Sequence, residues 1–162
     1  MADIAGDVHP FRAVWETHDL EAWTGALASD VVAYSPMLTT PFEGVDTVVE
    51  LYGVLFEALG EFEITHEFID RGSSAFFWRA NLGARRIRGV DLLQVDQRGK
   101  IVEISVWIRP LVDIAAFGSA VGPRLARKRG PVRALLARVV GAPLGMIMAL
   151  VDAVAPRLVL RR

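Results

Sequence analysis

The feature that most constrains the fold is the stretch Arg85–Pro110, RRIRGVDLLQVDQRGKIVEISVWIRP. It reads as two strands joined by the turn Asp96-Gln97-Arg98-Gly99, where Gly99 supplies the positive φ that such a turn requires. On the second strand Val102, Ile104, Val106 and Ile108 alternate with Glu103, Ser105, Trp107 and Arg109, the period-2 pattern of a half-buried strand. On the first, Ile87, Gly89, Asp91, Leu93 and Val95 share one face, while Arg86, Arg88, Gln94 and Asp96 share the other. The alternation thus places one carboxylate, Asp91, on the apolar side. A buried acid is costly unless it is hydrogen-bonded or protonated. Asp91 is therefore the leading functional candidate, and Ile104, Val106 and Ile108 are expected to face it.

Upstream, Pro10 to Ala28 reads as two short helices, the first carrying Phe11, Val14, Trp15 and His18. The second is capped by Asp19, carries Leu20, Trp23 and Leu27, and ends at Ser29-Asp30. Val31–Tyr34 reads as a short strand stopped by Pro36. A helix capped by Asp46 and closed by Gly60 presents Val48, Val49, Leu51, Tyr52, Leu55, Phe56 and Leu59. A strand over Glu61–Ile69 turns Phe62, Ile64, His66 and Phe68 one way, and another follows over Ala75–Leu82 with Phe76, Trp78, Ala80 and Leu82 on one face. Helices followed by consecutive hairpin-like strands indicate an α+β domain, residues 1–110, in which helices cover one face of a curved antiparallel sheet.

Residues 111–162 break this pattern. The body, 1–110, carries 9 Lys+Arg against 17 Asp+Glu, a net −8; residues 111–162 carry 9 against 2, a net +7. Arg124–Arg129 is a basic cluster, and Gly130-Pro131 starts a helix whose stripe Val132, Leu135, Leu136, Val139 and Val140 lies opposite Arg133 and Arg138. Leu144–Val154 is apolar nearly all round, bounded by Pro143 and Pro156, and falls short of the roughly 20 residues of a spanning helix. Three readings of this basic, helical extension stay open. It covers the body or a partner, it rests on an anionic membrane through 124–160, or it binds nucleic acid. The last is disfavoured because no aromatics interleave the arginines.

With 162 residues and 52% hydrophobic content the chain has enough material for a real core. The absence of cysteine rules out disulfides and thiolate metal sites and fits a cytoplasmic protein, as does an N-terminus without a basic, apolar leader. His9, His18 and His66 show no metal-binding spacing, and no glycine-rich phosphate loop occurs, so neither metal nor cofactor is expected. His66, on the apolar side of its strand, is expected to face Asp91 as an acid/base partner, or else to be a satisfied core histidine. His18 reads as structural. Arg85, Arg86 and Arg88 read as a solvated rim.

This layout resembles the NTF2-like superfamily, including SnoaL-like proteins and ketosteroid isomerases. The resemblance rests on Asp19-Leu20, Asp30-Val31-Val32, Tyr34-Ser35-Pro36, Pro41-Phe42-Glu43-Gly44 and Gly89-Val90-Asp91 through Gly99-Lys100-Ile101, and covers about residues 9–110. It implies a cone, a strongly bent sheet wrapped on helices with an apolar pocket at the open end, and a homodimer through the outer sheet face. Trp15, Tyr34, Tyr52, Phe62 and Trp78 would join Ile104, Val106 and Ile108 in lining the pocket around a small hydrophobic ligand. Of the groups that ketosteroid isomerases use, the oxyanion tyrosine falls on Phe11 and the general base on Ser35, so only the acid, Asp91, is kept. Where SnoaL-type cyclases often read GKIVEHWDV, this chain has Ile104 and Val106 in place of the His and Asp. No second acid and arginine complete the water-activating set of limonene epoxide hydrolases. Two functions follow as expectations. One is a ligand-binding protein, with isomerase, cyclase or hydrolase chemistry on a lipid-like or polyketide-like molecule through Asp91. The other is a non-catalytic module docked by its tail on a membrane surface or a partner.

Overall fold

A computed structural model describes residues 9–159. Residues 1–8 and 160–162 lie outside it. So do the side chains of Val140, Leu144 and Pro156, which the sequence places in the apolar pattern of the tail. The elements run α1 (Pro10–Thr17), α2 (Leu20–Ala26), β1 (Leu27–Tyr34), β2 (Phe42–Glu43), α3 (Val45–Ala58), β3 (Gly60–Ile69), β4 (Ser73–Leu82), β5 (Arg85–Val95), β6 (Ile101–Arg109), α4 (Leu111–Arg127) and α5 (Pro131–Val159).

Local chemistry accounts for most of these boundaries. His9 caps α1, its Nδ1 accepting from the Phe11 amide at 3.2 Å. Asp19 Oδ1 accepts from the amides of Glu21 and Ala22 at 3.0 and 2.9 Å, as the cap pattern requires. His18 ends α1 in the left-handed region and stacks on Phe56, a structural role. At the β5–β6 turn Gly99 has φ 75°, and Asp96 Oδ1 accepts from the amides of Arg98 and Lys100.

The fold class is α+β, with a six-stranded sheet in the order β2-β1-β6-β5-β4-β3. Contrary to the expectation of a wholly antiparallel sheet, β1 runs parallel to β6. The crossover through α3 and three hairpin-linked strands returns the chain to the edge of β1 in the same sense as it left. This pairing also pulls Leu27, buried and opposite Ile101, into β1, so α2 stops at Ala26 before the expected Ser29-Asp30. Asp46 sits in the first turn of α3, and Gly44, with φ 83°, takes the cap position instead. Register shifts in β1/β6, β3/β4 and β5/β6 bend the strands toward the cone shape.

The concave face of the sheet packs on α1–α3 through an aromatic core. Phe11 and Phe76 lie 4.7 Å apart by centroid, and Trp15 stacks on Phe62 at 3.7 Å. Phe62 in turn meets Trp78, and Trp23 meets Tyr52. The extension is two helices. The first, α4, lacked a sequence signal before its basic end, yet it buries Val112, Ala115, Phe117 and Val121, the last two within the same core. Arg85, read as a solvated rim residue, is paired with buried Asp113 of α4 at 3.1 Å. The second helix, α5, continues through Pro143 and Pro156 rather than breaking there, and packs along α4. No described helix is long and apolar enough to cross a membrane.

Candidate active site

Asp91 lies in the middle of β5, 5% exposed, opposite Phe76 on β4 and Val106 on β6. Its environment follows from a single glycine. Trp78 of β4 pairs directly with Gly89, two residues before Asp91 on the same face. A Cβ on Gly89 would stand 2.3 Å from Cζ2 of Trp78 and 2.7 Å from the carbonyl oxygen of Trp107. Only glycine lets the indole lie across β5. There Trp78 Nε1 donates to Asp91 Oδ1 at 2.7 Å, the hydrogen bond that satisfies the acid. Among the described residues neither Tyr34 nor Tyr52 hydrogen-bonds to it; Tyr34 is 42% exposed.

The electrostatics follow from that geometry. Among the described residues no cation pairs with Asp91, because Arg86, Arg88 and Arg109 alternate onto the opposite sheet face. Desolvation raises the Asp91 pKa from 3.8 to about 7, against the opposing pull of the Trp78 hydrogen bond. Burial, reinforced by the charge of Asp91, likewise pushes the Tyr52 phenol well above its usual range. Near neutral pH the site thus holds a neutral phenol and a carboxylic acid that is substantially protonated, both potential hydrogen-bond donors.

Asp91 borders a chamber of about 40 Å³ lined by Trp15, Tyr34, Tyr52, Trp78, Ile104 and Val106, among others. That is room for a few waters at roughly 10–15 Å³ each. Next to it lies a groove of about 300 Å³ under α4, lined by Met37, Leu38, Phe42, Gly118, Val121 and Ala137 among others. Ser35, Leu51 and Phe117 line both spaces, so these three side chains form the wall between them. Met37 nests against Gly118, where a Cβ would come within 2.0 Å of its sulfur, and this fixes the loop after β1 under α4. Trp15 also lines the chamber, and its Nε1 is buried with no hydrogen-bond partner among the described residues. Phe62 stacks on Trp15 and is not on the chamber wall, and Ile108, paired with Gly89, is buried in the core and likewise not on that wall.

The structure places His66 elsewhere. A register shift between Ile64 and His66 pairs Ile64 with Trp78 but His66 with Phe77, whose side chain is on the outer face. The bulge reverses the alternation that the sequence continues from Phe62. His66 is therefore exposed, edge-on to Phe77 at 6.3 Å, with the sheet between it and Asp91. Phe11, where the resemblance to ketosteroid isomerases implies the oxyanion tyrosine, is fully buried. Ser35 Oγ accepts from the amides of Met37 and Leu38 at 3.4 and 3.0 Å. Among the described residues no group of three or more His, Cys, Asp or Glu side chains is arranged to hold a metal.

Comparison with known proteins agrees with this architecture. The SnoaL-like domain pattern matches residues 8–104. A steroid delta-isomerase from Pseudomonas aeruginosa is similar at 25% identity and TM-score 0.66, over 78% of this chain and 98% of its own. A cystatin-like-fold protein from Silicibacter pomeroyi DSS-3 is similar at 25% identity and TM-score 0.66, over 72% and 86%. A putative SnoaL-like polyketide cyclase from Shewanella denitrificans OS-217 shares the fold at 18% identity and TM-score 0.52, over 62% and 85%. No curated protein matches the chain in sequence.

Proposed function

Since this chain belongs to the SnoaL-like family, whose fold is a pocketed α+β cone, we propose that it binds a small hydrophobic molecule carrying an acceptor oxygen. The ligand occupies the groove under α4 and the chamber behind Phe117, with its oxygen beside protonated Asp91. The observation that carries this reading is the isolation of Asp91: buried and, among the described residues, free of any cation and held by one donor, Trp78. In this reading, gating is the work of Phe117, because the chamber alone is smaller than a drug-sized site of roughly 300–1,000 Å³.

Polarising a carbonyl or ether oxygen is the chemical contribution a neutral carboxylic acid makes in an apolar site. An isomerase or cyclase also needs a base, and among the described residues Asp91 is the only carboxylate on the chamber wall, with no histidine there. The steroid isomerase likeness is therefore read as likeness of fold and acid, without the donor and base that Phe11 and Ser35 replace. The reading favoured is binding with polarisation of the ligand oxygen.

The test uses 1-tetralone and tetralin, the same skeleton with and without the oxygen, titrated against the full chain. Tetralone is expected to bind about tenfold more tightly at pH 6, one neutral hydrogen bond's worth, and to lose that advantage by about pH 9 as Asp91 ionises. Equal affinities at pH 6, or a preference indifferent to pH, overturn the reading.

A second copy is proposed on the outer sheet face. Across neighbouring strands the rows there read Glu63–Arg79–Arg88–Arg109, then His66–Phe77–Val90–Trp107. Exposed Phe68 extends the apolar band, and Gln94 with Glu103 closes its far end. A two-fold axis through the band sets the arginine row of one copy over Glu103 of the other.

A further inference from the structure

The helical extension presents an apolar surface of another kind. Along α5, Val132, Leu135, Leu136, Val139, Met146, Ile147, Leu150 and Val154 are all exposed. Val132 and Leu150, like Leu136 and Val154, are about five turns apart, so the series lies along one face of the helix rather than scattered round it. The diametrically opposite positions, Ala134, Ala137, Gly145, Met148 and Ala155, are the half-buried ones that face α4, and Gly145 lies against Ser119. The packing of α5 is thus satisfied on its small-residue side, while its large apolar side has no partner among the described residues.

Charge decides what fits that side. Arg133 and Arg138 are exposed and, by helical spacing, flank the stripe on either side. Arg127, Lys128 and Arg129, also exposed, cluster at the end where α4 passes into α5. The one carboxylate of α5, Asp152, falls in line with Ala134 and Met148 on the α4 side. A second copy seated here would press two basic tails together with no acid between them. A surface at once apolar and anionic matches stripe and flanks together. Since no described helix is long and apolar enough to span, the fit is to a helix lying in the plane of the interface.

We propose that α5 docks this protein on an anionic lipid bilayer, its stripe from Val132 to Val154 buried among the acyl chains and its arginines on the headgroups. The stripe is roughly 33 Å long at 1.5 Å per residue. Ala137, on the far side of the same helix, lines the groove under α4. Docking therefore holds the groove about one helix diameter, some 10 Å, from a phase in which apolar molecules concentrate. That consequence rests on the ligand-binding reading above; the docking does not.

The test is flotation of the full chain with phosphatidylcholine vesicles, either pure or containing about 30% phosphatidylglycerol. Anionic vesicles should carry the protein, with pure phosphatidylcholine at least tenfold weaker and the difference shrinking in about 0.5 M salt. Replacing Arg133→Glu and Arg138→Glu should weaken anionic binding by more than about 25-fold, since each basic residue near the surface is worth roughly fivefold. Leu136→Glu with Leu150→Glu should abolish it while leaving the helical circular dichroism unchanged, both residues being exposed. Failure of the full chain to float with anionic vesicles overturns the proposal. So does undiminished binding by the Leu136/Leu150 variant, or a self-association that this variant abolishes in protein that does not bind vesicles. Because flotation needs no ligand, it fails or succeeds independently of the tetralone titration.

Discussion

Gly89 and Asp91 act as a pair: the glycine makes room for the indole, and the indole supplies the one hydrogen bond that a buried acid needs. Gly89→Ala should therefore damage the site more than a methyl group ordinarily would. One neighbour is the backbone carbonyl of Trp107, which cannot rotate away, and the other is a ring packed against Phe62. We expect a loss of about 3 kcal/mol or more in urea unfolding, at the upper end for overpacking, with Gly89→Ala/Trp78→Phe no better. A loss below about 1 kcal/mol would show that the indole has somewhere else to go. Asp91 also sets a pH dependence. Its folded pKa lies above its unfolded one, so the folded state holds the proton more tightly between about pH 4 and pH 7. Its contribution to stability is best below pH 4, falls through that window and levels off above pH 7. At 1.36 kcal/mol per pH unit the fall is at most roughly 4 kcal/mol. Asp91→Asn keeps an acceptor for Trp78 and removes the titration. Its urea midpoint should hold steady where that of the wild type declines, once the other acids common to both are subtracted.

At the scale of elements, local signals and long-range pairings divide the legible from the illegible. The β5–β6 hairpin was readable because its turn residues and period-2 alternation are local, and with it came the burial of Asp91. The cap at Asp19 was readable for the same reason. The bulge in β3 was not: Phe62, Ile64, His66 and Phe68 keep perfect alternation in sequence, and only the register against β4 reveals the slip that turns His66 outward. The parallel pairing of β1 with β6 joins residues some 70 positions apart, and no local pattern announces it. The role of Trp78 required knowing which residue faces Gly89. A glycine alone on the apolar face of β5 was the available signal, since a missing side chain in a strand often marks a close approach. The helix α4 escaped notice because its small residues, Ala115, Ala116, Gly118, Ser119 and Ala120, give a weak apolar contrast. Prolines 143 and 156 suggested ends for α5, but the helix passes through both.

For the molecule as a whole, the two apolar surfaces lie on different elements and carry different borders. The outer sheet face has charges of both signs and suits a copy of itself; the α5 face has one sign and suits an anionic bilayer. Trp107→Glu should convert a dimer to a monomer in sedimentation equilibrium without altering the circular dichroism, and a wild type that is monomeric at about 100 µM would remove the sheet-face proposal. Neither surface bears on the chamber, whose chemistry stands on Asp91 alone. The most direct test is carboxyl-carbon NMR of the aspartate-labelled protein, with Asp91→Asn identifying the resonance. The structure calls for a titration midpoint near 7 for Asp91, where burial without a cation holds the proton. A midpoint at or below about 4, the ordinary carboxylate value, would mean that Asp91 is ionised at neutral pH and cannot donate to a ligand oxygen.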